Sequence, residues 1–153
     1  MIRPAVPGDV DAISEVVNRA YSRFVPLIGR IPAPMTDDYT ALVEQGSVTV
    51  STDQDEVVGL LVSWVDGDSY YIDNIAVDPS MQGSGIGSGL LNRALERAGE
   101  CGCDRVWLYT NAVMQENIGY YERRGFVVYE QRFDKGYDRI FFERRLTPPS
   151  TDR

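Results

Sequence analysis

Residues 77–91 read VDPSMQGSGIGSGLL, and Gly83, Gly85, Gly87 and Gly89 fall within seven positions of one another. An apolar strand-like run precedes them and an apolar, helix-periodic run follows. Glycine inside a helix costs roughly 0.5–1 kcal/mol relative to alanine, so its accumulation where a strand hands over to a helix needs a compensating reason. Two are available: a tight corner, or a backbone that another group must approach closely. The second is attractive because the first amides of a helix lack intrahelical partners and lie at the positive end of the macrodipole, a ready anion site that requires no lysine.

The rest of the chain arranges itself around this corner. Val10, Ile13, Val16, Val17, Ala20, Tyr21 and Phe24 recur at helical spacing and predict a helix over 9–24. VPLIGRIPAPM, 25–35, carries three prolines and a glycine and is expected to lack regular structure. A second helix is expected over 36–45, with Thr36 as N-cap and Asp37 and Asp38 in its first turn. SVTVST, EVVGLLVSWV and SYYIDNIAV then read as an antiparallel meander separated by DQD and DGD turns. Ile86, Leu90, Leu91, Ala94, Leu95 and Ala98 form one apolar helix face after the glycines. RVWLYT is a strand, MQENIGYYERRG a short helix ending at Gly125, and FVVYEQRF and DRIFFERRL a closing strand pair. Residues 1–146 are expected to be a single domain and 147–153 a polar, frayed tail.

The formal net charge of -8 argues against a nucleic-acid surface and suits a cationic partner. Cys101 and Cys103 stand in one C-x-C with no histidine in the chain, so they read as reduced thiols rather than a metal site. With no signal-like start and no run of ~18 apolar residues, the chain is expected to be soluble and cytoplasmic, with no membrane partner.

Two nucleotide-binding motifs fail on this stretch. A P-loop requires a lysine, and none occurs between 77 and 91; a dinucleotide fingerprint would place its third glycine where Ser88 stands. Gln82, Gly83, Ser84, Gly85, Ile86 and Gly87 instead resemble the Gln/Arg-x-x-Gly-x-Gly/Ala signature of the GCN5-related N-acetyltransferases (the GNAT family). IDNIAVDP before it resembles the family's fourth strand, and NIGYYERRGF after it resembles the second signature. The resemblance covers most of 1–146.

The resemblance implies an α/β (α+β) fold, a mixed twisted sheet of about seven strands whose fourth and fifth strands splay, flanked by about four helices. It also implies acetyl-CoA as cofactor and transfer of the acetyl group to a primary amine, small or peptide-borne, by direct attack in a ternary complex. A CoA-binding module without turnover is the alternative. By the same resemblance the pyrophosphate is expected on the amides of Gly83, Ser84, Gly85, Ile86, Gly87 and Ser88, beside Gln82, and the pantetheine arm along Ile75, Ala76 and Val77. A backbone N–H on that strand would serve as oxyanion donor.

Tyr121 matches the family's proton-donating tyrosine, and register before Gly125 and Phe126 favours it over Tyr120. The family's cofactor-contacting asparagine falls on Met114, leaving that amide to Asn111 or Asn117. The glutamate that serves as base in histone-type members falls on Tyr71; Asp73, two residues on, could accept the amine proton directly or through water. Phe24, Ile28, Met35, Tyr39 and Tyr137 could wall an acceptor slot with Asp37 or Asp38 as counter-charge, or could equally be packing and a helix start. Family members are often homodimers.

Overall fold

The structure is a computed structural model in which residues 1–146 are described; the 147–153 tail lies outside the described residues. Seven strands form one mostly antiparallel sheet in the order β1-β2-β3-β4-β5-β7-β6. Two compact units divide the chain: Met1–Ser63 with Ile72–Ala94, and Trp64–Tyr71 with the chain from Leu95 onward.

In the first unit, β1 (Ile2–Pro4) is a strand the sequence pattern does not announce. It pairs antiparallel with β2 (Val48–Asp53), Arg3 opposite Val50. The Arg3 guanidinium grips the Asp9 carboxylate at 2.8 and 3.0 Å, and the Val6 amide donates to it at 2.8 Å. Helix α1 (Val10–Tyr21) follows, continued by a 3₁₀ turn over Ser22–Phe24. Its Ile13, Val16, Val17 and Ala20 are buried against Val48 and Val50 of β2, and Leu60 and Val62 of β3 (Glu56–Asp66), as the helical spacing requires.

The segment expected to lack regular structure does so only over 29–32. Val25–Ile28 forms a short helix, α2, and Ala33–Thr36 a 3₁₀ turn. The prolines start these elements rather than break them, because a first-turn residue needs no intrahelical N–H donor. Gly29, at φ 75°, ends α2. Helix α3 begins later than expected, over Tyr39–Glu44, and its cap is Asp38, whose carboxylate accepts the Ala41 amide at 3.1 Å. The Thr36 hydroxyl instead donates to the Ala33 carbonyl, closing the preceding turn.

Strand β4 (Ser69–Val77) leads through the glycine corner to α4 (Ile86–Glu100). Gly59 sets the packing of that corner: a Cβ there would come within 2.9 Å of Ile86 Cγ2, 3.2 Å of the Ala76 carbonyl oxygen and 3.3 Å of Leu90 Cδ1. The first turns of α4 therefore rest on β3 because one strand residue has no side chain.

In the second unit, Ser69–Tyr71 pair in parallel with Arg105–Trp107 of β5 (Arg105–Asn111). β7 (Tyr137–Arg145) runs antiparallel to β5 and to β6 (Val127–Asp134), whose register shifts between Val128 and Glu130. Helix α5 (Gln115–Glu122) joins β5 to β6. Ala98, Val106, Leu108, Phe126 and Phe142 are deeply buried in this unit. No helix among the described residues is long and apolar enough to cross a membrane.

Candidate active site

The glycine corner is built residue by residue from the end of β4. The Asp78 amide donates to the Val58 carbonyl at 2.8 Å, fixing the strand end. Its carboxylate accepts the Ser80 amide at 3.1 Å, the Ser80 hydroxyl at 2.8 Å and Arg19 Nε, reaching across from α1, at 2.9 Å. Desolvation works against ionising this carboxyl, but those donors outweigh it and hold it below the usual carboxylate range. Pro79–Met81 make a 3₁₀ turn, and the Ser84 hydroxyl and amide both donate to the Met81 carbonyl.

Gly83 and Gly85 then take φ of 84° and 89°, the left-handed region that favours glycine. A Cβ at either would meet nothing within 4 Å. Glycine is required here by the dihedral, and the space before it is open. The Gly89 amide, bonded to the Gly85 carbonyl at 3.0 Å, closes the first turn of α4. The amides of Ile86 and Gly87 come before any intrahelical acceptor. An open, exposed loop delivering backbone N–H groups at the positive end of a 15-residue helix fits a phosphate group. Ile75, Ala76 and Val77 occupy the last three residues of β4, directly upstream.

The same unit holds the acceptor-side candidates. Asp37, half-buried between the 3₁₀ turn and α3, is pushed up to about 6 by desolvation, with the charge of Asp73 on β4 adding to it. Structure thus couples two carboxylates 36 positions apart, whereas Asp38 is occupied as a helix cap. Tyr39 is buried at 4% exposure; its hydroxyl donates to the Pro34 carbonyl at 2.6 Å, and burial raises its pKa. Met35 packs on the core of α1, α3 and β2 to β4. Phe24 lies 6.5 Å from the Tyr21 ring with the Arg23 guanidinium 4.5 Å above it, and Ile28 is half-buried at the end of α2.

In the second unit, Tyr120 and Tyr121 meet edge to face at 5.2 Å. Tyr121 packs its ring on Phe126 at 5.6 Å and Phe142 at 5.7 Å, while the Arg124 guanidinium covers Tyr120 at 3.6 Å. Desolvation raises the Tyr121 hydroxyl well above its ordinary value, so it carries its proton throughout the physiological range. Asn117 donates to the Thr110 hydroxyl at 3.0 Å, whereas the Asn111 side chain accepts the Val113 amide at 3.1 Å and is engaged in the turn before α5. Met114, at the family's asparagine position, directly precedes that helix. Tyr71 lies 4.3 Å from Trp107 and 5.1 Å from Trp64, so aromatic packing fills the position of the histone-type glutamate. Tyr137 opens β7 with the Arg139 guanidinium 5.3 Å from its ring.

Two residues with a clear part in this geometry escape the sequence pattern, Gly59 and Asn74, and a third, Tyr21, enters it only as an apolar helix position and not for its hydroxyl. Gly59 left a signal, a lone glycine inside an apolar strand. Tyr21 donates to the Asn74 carboxamide oxygen at 2.5 Å across 53 positions of sequence, and no local pattern reports such a contact.

Comparison with known proteins agrees with this geometry. Among solved structures, the PaiA N-acetyltransferase of Thermoplasma acidophilum, in complex with coenzyme A, superposes with a TM-score of 0.82 at 14% identity, covering 95% of this chain and 98% of that one. A ribosomal-protein-alanine N-acetyltransferase from Brucella melitensis gives 0.75 at 20% identity over 95% and 99%. YncA of Salmonella typhimurium, a putative acetyltransferase solved with acetyl-CoA, gives 0.73 at 23% identity over 100% and 97%. The uncharacterized protein YdhI of Bacillus subtilis is 29% identical over 90 residues, 59% of this chain; the match spans about half (49%) of that relative's length. Residues 12–126 match the Acetyltransferase (GNAT) family, whose cofactor is acetyl-CoA, and the chain belongs to that family.

Proposed function

We propose that this protein is an N-acetyltransferase that moves the acetyl group of acetyl-CoA onto a primary amine, small or peptide-borne. The observation that carries the reading is the glycine corner: left-handed Gly83 and Gly85, open space before them, and the amide end of α4. Acetyl-CoA supplies an acyl thioester there, open to direct attack by an amine.

The chain's own residues divide the remaining work. Backbone amides from Gly83 to Ser88 hold the phosphates, with Gln82 alongside, and Ile75, Ala76 and Val77 offer strand backbone to the pantetheine arm. One of the strand's N–H groups polarises the carbonyl. Asp73 takes the amine proton directly or through a water. Asp37, whose carboxyl sits at about 6, is largely ionised at neutral pH and attracts a cationic acceptor. Tyr121, protonated throughout, would give its proton to the departing sulfur, and Asn111 or Asn117 would supply the amide for the role vacant at Met114. Phe24, Ile28, Met35 and Tyr137 provide apolar surface for the acceptor.

Neither cysteine lies in these segments: Cys101 is exposed and Cys103 buried, both beyond the end of α4. The reaction therefore needs no acyl-enzyme. A test combines acetyl-CoA titration by calorimetry with free-thiol release over a panel of amines, polyamines and peptide N-termini. Binding with amine-dependent thiol release supports the reading; binding without release from any amine would favour a CoA-binding module.

A further inference from the structure

Asn74 is 4% exposed, and its carboxamide joins three elements. Tyr21, the last residue of α1, donates its hydroxyl proton to Asn74 Oδ1 at 2.5 Å. Asn74 Nδ2 lies 3.5 Å from the hydroxyl oxygen of Tyr39, the first residue of α3, and that hydroxyl donates to the Pro34 carbonyl at 2.6 Å. One buried amide thus connects strand β4 to α1, to α3 and, through Tyr39, to the turn that precedes Asp37. Its neighbours on β4 are Asp73 and Ile75, which point to the opposite side of an extended strand. A polar group buried this deeply is costly unless paired, and the pairing has the geometry of a clamp.

We propose that Asn74 is a positioning residue for the acceptor amine: through Tyr21 and Tyr39 it fixes the Pro34–Asp37 turn against β4, and so sets where Asp37 stands relative to Asp73. The inference rests on the acetyltransferase reading but is tested separately from it. The charge of Asp73 on β4 acts on Asp37, the charge of Asp37 in turn acts on Tyr39 of α3, and Asp38 is adjacent in sequence. Releasing the clamp moves the turn that carries Asp37 and leaves the glycine corner in place.

The test compares wild type with Asn74→Leu, which keeps the branched outline, with somewhat more bulk, and removes the hydrogen bonds, and Tyr21→Phe, which removes a single hydroxyl and preserves the fold if the leucine variant does not. Each raises the acceptor KM about three- to tenfold, the size expected for lost buried hydrogen bonds, while kcat and acetyl-CoA affinity stay within about twofold. The double variant adds little to the larger single effect. In carboxyl NMR of the protein without ligand, the Asp37 titration shifts from its wild-type midpoint in both variants. Val106→Ala, a core change in β5 that touches none of the clamp elements α1, α3 or the Pro34–Asp37 turn, lowers thermal stability but alters neither the KM nor that midpoint. A KM and an Asp37 titration that match wild type in both clamp variants overturn the inference. If the wild-type protein releases no thiol with any amine, the acetyltransferase reading falls, and the titration alone then decides the clamp: a shifted midpoint supports it and an unshifted one overturns it.

Discussion

Asp37→Asn removes a carboxyl whose proton affinity changes on folding, and stability should report it. The shift from 3.8 to about 6 is roughly two pKa units, and at 1.36 kcal/mol per unit this sets a ceiling of about 3 kcal/mol. Asp37 is only half-buried, and solvent screening reduces the expected effect to about 1–2 kcal/mol. Because the folded state holds this proton more tightly than the unfolded chain, its contribution is full below about pH 4 and is lost as pH rises through about 6. The asparagine variant has no such loss. Urea unfolding of both proteins at about pH 4 and about pH 7.5 should therefore show the variant gaining about 1–2 kcal/mol relative to wild type between the two conditions. Asp9 and Asp78, whose carboxyls are held low by Arg3 and by the Ser80 and Arg19 donors, push stability the other way but occur in both proteins and cancel. A stability difference identical at both pH values would refute the coupling of Asp37 to burial and to Asp73.

Gly87→Val, unlike the alanine that the family signature admits at this position, puts a branched side chain at the start of α4 and should weaken acetyl-CoA at least about tenfold by calorimetry while the fold survives. Gly59→Val should destabilise the fold by about 1–3 kcal/mol in chemical denaturation and weaken acetyl-CoA as well, because Ile86 and Leu90 must move away from β3. Tyr121→Phe should lower kcat by about 10- to 1000-fold with acetyl-CoA affinity near normal, and Tyr120→Phe should matter less; the reverse ranking would exchange the roles of the two tyrosines.

How much of this was legible in the sequence depended on the range of the interaction. Gly83 and Gly85 were legible because a left-handed φ is a local demand that few residues other than glycine satisfy. The α1 face was legible because Ile13, Val16, Val17 and Ala20 repeat with the helix. The 25–35 segment was misread because its prolines occupy first turns, where a missing N–H costs nothing, rather than helix interiors. Thr36 reads as the cap with Asp38 in the first turn, but Asp38 is the one whose carboxylate reaches the Ala41 amide, because the chain stays in a 3₁₀ turn through Thr36 and α3 starts only at Tyr39. Asn74 bonded to Tyr21, Asp73 acting on Asp37, and Gly59 under α4 are long-range contacts that one sequence does not record.

The central claim is amine acetylation from acetyl-CoA, and free-thiol release measured against amine concentration tests it most directly. Wild-type protein with saturating acetyl-CoA should release CoA with saturable dependence on at least one cationic primary amine, and mass spectrometry should find the acetyl group on that amine and none on Cys101 or Cys103. Tight acetyl-CoA binding without thiol release across the panel, or acetyl found on a cysteine as an intermediate, would contradict the account.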